Sequence, residues 1–308
     1  MSHDSSLPSD APLVDDAVVQ RVVAAGLERG ADFAELFVEE KRSSSALLDD
    51  GRVEELTSGR DRGAGVRVVV GDSTGFAHTS DLSEQGLLAA ARTAAAAARG
   101  SGSGTTVVAL DRVDAPRPNA VRLQPGEVPK ARKVELLVAA DEMARSEGAA
   151  ITQVAARYAD SRRRILVANS DGTLAGDDQV KTLFSVSCVA SGDAGMQTGR
   201  ESVGRTVGFE LFDEYDVREL AQAAAQRAIT KLLARPAPSG EMTVVIGPGG
   251  GGVMFHEACG HGLEADLVNK GASVFAGRLG EQVASPLVTL VDDGTMGGEW
   301  GCFAIDDE

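Results

Sequence analysis

A repeated order of predicted elements constrains the fold of this chain more than any other feature. A helix, several antiparallel strands and a second helix are predicted between Asp15 and Gly100, and the same order returns between Lys130 and Pro236. A repeat unit of roughly a hundred residues is too long for a solenoid. The sequence therefore predicts an α+β fold with two helix–antiparallel-strand repeats, arranged either as two related lobes or as two halves of one enlarged sheet.

The predicted helices begin at capping residues and end at glycine or proline. The first begins after Asp15 and ends near Gly30, and it places five apolar residues on one face: Val18, Val19, Val22, Val23 and Leu27. The second is predicted from a capping box in which Glu84 lies three residues after Asp81. The third, KARKVELLVAADEMARSEG, ends at Gly148, and the fourth ends before Pro236.

The predicted strands lie between these helices and are separated by short turns. In the first repeat they are ADFAELFVEE, SSSALLDDGRVEEL and GVRVVVGDSTGFAHTS; in the second they are ITQVAARYA, RRRILVANSDGTLAG and KTLFSVSCVA. Asp50-Gly51, Gly71-Asp72 and Asp171-Gly172 are typical hairpin turns. The matching Asp-Gly pairs of the two repeats support the internal symmetry.

Composition divides the chain into three parts. Residues 1–13 are predicted to be a disordered N-terminus, and 14–236 an N-terminal α+β domain with a proline-rich and glycine-rich linker at about 100–129. Residues 240–308 are predicted to begin a further, mostly β domain, with EMTVVI as a short buried strand and VMFHEACGHGLEAD as a helix. Because AIDDE ends the sequence without a helix or cap, we expect a C-terminally truncated piece of a longer protein.

Charge and cysteine usage restrict the partners and the compartment. A net charge of −16 repels phosphate backbones and anionic membrane surfaces, which excludes direct nucleic-acid binding. Three widely spaced cysteines do not form a disulfide framework, and the polar N-terminus does not resemble a signal peptide. No apolar run is long enough to span a bilayer. These features predict a cytoplasmic protein.

The motif HEACGHG concentrates two of the four histidines of the chain, His256 and His261, beside Glu257. In zinc-protease helices the two histidines lie four residues apart, so that both imidazoles reach one ion. Here the spacing is five, which separates the side chains by about 140° on an ideal helix. Gly260 permits a kink or a one-residue π-bulge that would return His261 to the face of His256.

A metal held by the two histidines would give Glu257 a defined role. The metal would lower the pKa of a bound water and polarise a scissile carbonyl, while the carboxylate takes the proton of that water. The reaction class would be amide hydrolysis. The alternative is a satisfied polar cluster without a metal.

A catalytic zinc needs a further protein ligand. The candidates within the sequence are Glu264, Asp266, Cys302 and Cys259, and none has decisive spacing; Glu264 could equally orient a histidine. His3 in the tail and His78 in a strand are assigned structural or incidental roles.

The glycines before the motif offer a different class of function. Gly247, Gly249 and Gly252 match G-x-G-x-x-G between a predicted strand and a predicted helix, as in a dinucleotide-binding turn. The surrounding sequence lacks repeated parallel strand–helix units and a phosphate-binding lysine. A flexible loop that lets backbone approach a ligand is the simpler interpretation.

The run GPGGGGVMFHEACGHGLEADLVNKGASVFAGRLGEQVASPLVTLVDDGTMGG, followed by AIDDE, resembles the TldD/PmbA family of metalloproteases, also called modulators of DNA gyrase. The segments HEACGHGLEAD, SVFAGRLGEQVAS and VDDGT resemble the TldD-type subunit rather than the PmbA (TldE) type, which lacks the histidine motif. The resemblance extends more weakly through both repeats.

The resemblance implies a zinc peptidase in which His256 and His261 bind Zn²⁺ and Glu257 is the catalytic base. It also implies a PmbA/TldE-type partner subunit in a heterodimer that encloses a cavity, and short or unfolded peptides as substrates, which an exposed sheet edge could bind as an added strand. The third zinc ligand would be a cysteine expected beyond residue 308. The alternative function is a non-catalytic peptide-binding or scaffold subunit of a proteolytic complex.

Overall fold

The computed structural model describes residues 11–98, 109–113, 120–193, 195–247 and 249–305. Seven strands are described: β1 Phe33–Asp49, β2 Arg52–Val70, β3 Ser73–Thr79, β4 Asp111–Val113, β5 Ile151–Asn169, β6 Thr173–Gly192 and β7 Gly195–Arg205. The α-helices in these ranges are α1 Asp16–Leu27, α2 Glu84–Ala97, α3 Lys130–Ser146, α4 Leu211–Glu214, α5 Val217–Leu232, α6 Gly250–Phe255 and α7 Ala265–Asn269. The predicted disordered segment 1–13 lies almost entirely outside the described residues.

The strands form one sheet that joins both repeats. Its order is β3-β2-β1-β5-β6, with β4 and β7 also pairing with β6, and every pairing is antiparallel except that of β4 with β6. The repeats meet where β1 pairs with β5, from Glu35 opposite Asn169 to Asp49 opposite Ala155. The two alternatives left open by the sequence are thereby decided in favour of one enlarged sheet, and the α+β class is confirmed.

The central strands are longer than the sequence predicted. β1 has 17 residues and β5 has 19, each continuous across a polar centre where the sequence predicted a break. Within one segment, these polar residues are typical of a loop. In the sheet, however, they face partners on neighbouring strands. Arg163 on β5 donates to Glu39 on β1 at 2.7 Å, and Arg162 donates to Asp178 on β6 at 2.8 Å. Cross-strand ion pairing therefore carries the ladder through the polar centre.

Local signals placed the first helix and the Asp-Gly turns correctly. Asp15 caps α1 by accepting the N–H of Ala17 at 2.9 Å, and the apolar face of α1 is buried. The turn between β1 and β2 has positive φ at both central residues, 49° at Asp50 and 77° at Gly51, as a type I′ hairpin requires. Gly172 has a φ of 99° in the corresponding turn of the second repeat.

Two glycines occupy equivalent positions in the two repeats. Gly75 on β3 lies against α2 so closely that a Cβ would come within 2.0 Å of the carbonyl oxygen of Ala94. Gly199 on β7 lies against α5 in the same way, with a Cβ 2.0 Å from the carbonyl oxygen of Ala224. In both repeats, therefore, the last strand contacts the following helix backbone to backbone.

Each repeat has its own hydrophobic core on the helix-bearing side of the sheet. The first core contains buried residues of α1, α2, β1 and β2, including Val23, Leu36 and Leu87. The second contains buried residues of α3, α5, β5 and β6, including Leu137 and Phe184. The helices thus cover the sheet as two separate pairs, α1 with α2 and α3 with α5.

Two details of this region differ from the sequence prediction. Ser83 rather than Asp81 caps α2, because the Ser83 hydroxyl accepts the N–H of Gly86 at 3.2 Å while Asp81 accepts the N–H of Ser83 at 2.9 Å. Asp111–Val113, inside the predicted linker, forms strand β4 beside β6. Much of the rest of that linker lies outside the described residues.

The described residues of Met1–Ala234 and Gly294–Glu308 form one compact unit, and Arg235–Asp293 form a second. The later part of the first unit is attached to the sheet: the Thr206 hydroxyl donates to the carbonyl of Glu299 at 2.8 Å, and Cys302 is buried. The predicted division at 236 and 240 stays a prediction.

The second unit lacks the buried strand that was predicted for EMTVVI. Residues 242–246 have no regular secondary structure, and Val245 is 93% exposed. A strand requires a pairing partner, and the described residues of 235–293 contain no strand that could supply one. The strand prediction is therefore wrong for this segment, and the mostly β character of the domain stays a prediction.

Candidate metal centre

The histidine motif lies in a helical run whose hydrogen-bonding pattern changes at each turn. Helix α6 leads into a π-helical turn, His256–Gly260, which is followed by a 3₁₀ turn, His261–Leu263. The N–H of His261 donates to the carbonyl of His256, five residues earlier. Of the two distortions that the sequence left open near Gly260, a kink or a one-residue π-bulge, the structure has the π-helical widening.

The widened turn brings the two imidazole rings together. The ring centroids of His256 and His261 are 4.3 Å apart, with an angle of 62° between the planes. An undistorted helix would separate side chains at this spacing by about 140°. The π turn thus places on one side two rings that an ideal α-helix would separate.

Glu257 completes a group of three ligand-type side chains. Its Oε2 lies 3.8 Å from Nε2 of His261, and one donor atom from each of His256, Glu257 and His261 lies within 4.8 Å of the others. Among the described residues, these three side chains are close enough together to act as ligands of one metal ion. All three residues are exposed, so the group is open to solvent.

Glu264 fixes the orientation of the second ring. Its Oε1 lies 2.8 Å from Nδ1 of His261, and this hydrogen bond, with the charge of the carboxylate, raises the pKa of His261. An imidazole that uses Nδ1 in this way presents Nε2 to a metal or to Glu257. The orienting role considered for Glu264 therefore matches its position.

Two glycines of the motif lie where an added side chain would be in tight contact with a neighbouring ring. A Cβ at Gly260 would come within 3.1 Å of Nδ1 of His256, and a Cβ at Gly262 within 2.9 Å of the Phe275 ring. The Ser273 hydroxyl donates to the carbonyl of Gly262, and the N–H of Phe275 donates to the same hydroxyl at 3.1 Å. Sequence reasoning missed Ser273 and Phe275, because their support of the 3₁₀ turn becomes visible only when the chain folds back on itself.

The other candidate ligands are engaged elsewhere. The Cys259 thiol donates to the carbonyl of Phe255 at 3.1 Å, and Asp266 pairs with Lys270 at 2.9 Å. Cys302 is buried within the first unit. His78 lies beside Phe76 on β3, and His3 lies outside the described residues.

Three models of one protein family match successive parts of the chain. They are described as PmbA/TldA metallopeptidase domain 1, which matches residues 34–98, the central domain, 123–232, and the C-terminal domain, 239–308. The chain belongs to the PmbA/TldD family. The match to the C-terminal domain contains the whole histidine motif.

Curated relatives of this PmbA/TldD chain include proteins named metalloproteases. A metalloprotease TldD homolog of Haemophilus influenzae is 36% identical over 286 residues, which cover 91% of this chain and 59% of the relative. A metalloprotease of Methanothermobacter thermautotrophicus is 36% identical over 286 residues, covering 92% of this chain and 61% of the relative. The chain thus spans about three-fifths of the length of these relatives.

Solved structures confirm the fold of this family member. A protein of Bacteroides thetaiotaomicron described as a modulator of DNA gyrase matches with a TM-score of 0.75 at 16% identity, over 91% of this chain and 64% of that chain. TldE from Thermococcus kodakarensis matches with a TM-score of 0.63 at 16% identity, over 87% of this chain and 60% of that chain. At this identity the likeness concerns the fold alone.

The glycine-rich turn before α6 gives no support to dinucleotide binding. Gly249 has a φ of 84° and is followed by a helix of six residues. The strand that should precede such a turn is missing among the described residues 242–247. Without that strand, the phosphate-binding geometry of a βαβ unit cannot form.

Proposed function

We propose that this PmbA/TldD chain carries the metal-binding part of a zinc-dependent peptidase, with His256 and His261 as ligands and Glu257 as the catalytic base. The observation that carries the proposal is the π turn, which gathers two imidazoles and a carboxylate within 4.8 Å. Relatives named metalloproteases support the same class of activity.

The donor set fits zinc. Two imidazole nitrogens with a carboxylate nearby are typical of catalytic zinc sites, and the exposed position leaves room for water and substrate. When bound, a zinc ion supplies a water of lowered pKa and polarises a carbonyl. The third protein ligand stays a prediction.

The residues of the chain divide the remaining work. Glu264 holds His261 through the Nδ1 atom of its ring. The Nε2 atom of His261 is therefore left to bind the metal ion together with His256. Glu257, 3.8 Å from that nitrogen, is placed to take a proton from a water molecule that attacks the substrate carbonyl. The same carboxylate can then return the proton to the leaving amine.

We further propose short or unfolded peptides as substrates and a PmbA/TldE-type protein as partner. An extended peptide can bind through backbone hydrogen bonds to a sheet edge, which requires no particular side-chain sequence. The fold shared with TldE from Thermococcus kodakarensis is compatible with a paired assembly of similar subunits. The net charge of −16 disfavours direct nucleic-acid binding.

We propose a cytoplasmic location, supported by three cysteines that are all free thiols. Among the helices that the structure describes, none is long and apolar enough to cross a membrane.

Metal analysis of the intact protein tests the ligand assignment. We expect about one zinc per chain in the unaltered protein and in His78→Ala, and strong loss of zinc in His256→Ala and His261→Ala. His78→Ala is the matched control because it removes an imidazole outside the motif. Equal zinc content in all four proteins would remove both histidines from the proposal.

Peptide hydrolysis by the zinc-loaded protein tests the base. We expect Glu257→Gln to retain zinc and to lose at least about a hundredfold in hydrolysis of an unstructured peptide, since a positioned base contributes about 10²–10⁴. Glu281→Gln, which alters an exposed carboxylate paired with Arg278, should remain active. Peptide binding by a protein that holds no zinc would favour the alternative, a non-catalytic scaffold subunit.

A further inference from the structure

Three arginines lie side by side across the middle of the sheet. Arg42 on β1 is directly opposite Arg60 on β2 and directly opposite Arg162 on β5. Like charges in directly opposite positions destabilise a sheet. A row of three guanidinium groups therefore needs compensating negative charge.

The next row of the same face adds two more arginines. Glu40 on β1 is opposite Arg62 on β2 and Arg164 on β5. Side chains alternate along a strand, so Glu40 points to the same face as the buried Leu36 and Val38. The five arginines and Glu40 thus form a cluster, named here the arginine grid, on the helix-bearing side of the sheet.

The described carboxylates around the grid are fewer than its arginines. Glu40 accepts hydrogen bonds from Arg60 at 3.0 Å and from Arg42 at 3.2 Å, and Asp178 accepts one from Arg162 at 2.8 Å. Arg164 donates to the main-chain carbonyl of Ala11 at 2.6 Å, which adds no negative charge.

The third carboxylate is Asp81, which also feels the charge of Arg62. Among the residues that the structure describes, the five guanidinium groups therefore meet three carboxylates. This local excess of positive charge occurs in a chain whose net charge is −16.

A cavity of about 350 Å³ opens over the grid. It is lined by all five arginines and by the residues that begin helix α2, including Asp81 and Ser83. The N-terminus of a helix carries partial positive charge, and α2 is 14 residues long. The guanidinium groups and the N-terminus of α2 thus both favour a negatively charged ligand in this cavity.

We propose that this cavity binds a small oxyanion with more than one negative charge, bearing a phosphoryl group or several carboxylates. Guanidinium forks match the oxygen geometry of both groups, and the volume lies near the lower limit of small-molecule pockets. The proposal depends on the sheet unit alone and is independent of the metal centre. Glu40 holds Arg42 and Arg60 in place before the ligand arrives.

Calorimetric titration of the intact protein with inorganic phosphate and with citrate, at constant ionic strength set by chloride, tests this site. We expect saturable binding of at least one of the two anions and about tenfold weaker binding in the double variant Arg62→Gln/Arg164→Gln. Arg67→Gln is the matched control, because Arg67 lies on β2 but pairs with Glu35 on the opposite face, and it should bind normally. Tighter binding of phosphate would assign a phosphoryl ligand, and tighter binding of citrate a polycarboxylate.

A gain-of-binding variant keeps the test decisive if the arginine variants unfold. Asp81→Asn removes one negative charge from the cavity, and the asparagine carbonyl can still accept the N–H of Ser83. We expect about threefold tighter anion binding in this variant, and no change in Asp72→Asn, which alters an exposed turn. Binding of neither anion, or equal affinities in the unaltered protein, the arginine double variant and Asp81→Asn, would overturn the proposal.

Discussion

At the scale of single residues, the second core contains polar groups that differ in how fully they are paired. Lys133 on α3 is 4% exposed and contacts Asp160 at 2.7 Å and the Ser44 hydroxyl at 2.8 Å. Its ammonium group also lies 5.0 Å from the centre of the Tyr158 ring. These contacts tie α3 to the two strands that join the repeats. A buried charge is tolerated here because its hydrogen-bonding capacity is used.

The Tyr158 hydroxyl is the exception, because it is buried and makes no hydrogen bond with any residue that the structure describes. Burial, with the nearby Asp160, raises its pKa far above the usual value, so the group stays protonated. We expect Tyr158→Phe to leave the free energy of unfolding unchanged or to raise it by up to about 1 kcal/mol, since an unsatisfied buried hydroxyl is removed.

The matched variant is Tyr215→Phe, which loses a hydrogen bond of 3.1 Å between the Tyr215 hydroxyl and Arg205 and should lower stability by about 0.5–1.5 kcal/mol. Urea unfolding compares the two variants. Greater destabilisation by Tyr158→Phe would show that its hydroxyl has a partner in solution.

Glu210 gives the fold an acid-sensitive contact. Burial raises the pKa of this carboxyl, but the backbone N–H groups of Arg122, Leu123 and Gly208 donate to it at 2.9, 2.9 and 3.2 Å and together hold the pKa below its usual range. A folded-state pKa below the unfolded value contributes stability above the unfolded pKa, near 4.5, and this stability is lost as the pH falls through the folded-state pKa.

We therefore expect Glu210→Gln to lower the free energy of unfolding by about 1–3 kcal/mol at pH 7, because one amide NH₂ then faces a backbone donor. Its penalty should shrink as the pH falls from about 4.5 through the lower folded-state pKa, because the carboxyl of the unaltered protein is protonated first in the unfolded state and then in the folded state. Urea unfolding between pH 3 and pH 7, with the exposed Glu135→Gln as control, measures this difference. A penalty independent of pH would contradict the assignment.

At the scale of elements, the packing of helix on sheet depends on two close backbone approaches. A methyl group at Gly75 or Gly199 would overlap the helix backbone at 2.0 Å, and neither helix can move without breaking its own core. The long strands are held by the cross-strand ion pairs at their centres. In each repeat, the packing of the last strand on the following helix thus depends on one glycine.

We expect Gly75→Ala and Gly199→Ala each to lower the free energy of unfolding by about 3 kcal/mol or more, because the added carbon forces strand and helix apart. Gly126→Ala is the control, since a Cβ there has no neighbour within 4 Å, and it should change stability by less than about 1 kcal/mol. Chemical denaturation measures all three. A mild effect at only one of the two equivalent glycines would limit the symmetry to the order of elements.

At the scale of the whole molecule, two separate cores share one sheet. Strands β1 and β5 pair over fifteen registered positions, from Glu35 with Asn169 to Asp49 with Ala155, and each of the two strands contributes buried residues to both cores. Residues 294–305 add contacts to this unit, such as Ala304 donating to Asp177 at 2.9 Å. Loss of either core would therefore expose strands on which the other depends.

We expect the sheet unit to unfold in a single calorimetric transition that is shifted by damage to either core. Leu36→Ala in the first core and Leu137→Ala in the second should each lower stability by about 2–5 kcal/mol and move the same transition to lower temperature. Leu233→Ala, at an 85% exposed position, is the control and should leave it in place. Two transitions, each sensitive to one variant, would show that the repeats unfold independently.

The sequence by itself determined the features that depend on neighbours in the chain. Asp15, Gly30 and the Asp50-Gly51 pair mark a helix start, a helix end and a turn through local backbone preferences, and Gly260 permitted the π turn between His256 and His261. The α+β class followed from the repeated order of such elements. These features can be predicted because caps and turns depend on the backbone preferences of a few adjacent residues.

Only the tertiary structure decided the features that depend on residues far apart in sequence. A strand forms only where a neighbouring strand accepts its hydrogen bonds. The polar centres of β1 and β5 pair with each other and are strands, whereas EMTVVI has no pairing strand among the described residues and is not. The arginine grid combines strands from both repeats, and the support of Gly262 by Ser273 and Phe275 needs a folded-back chain. Pairing energies depend on register and distance, and a single sequence specifies neither directly.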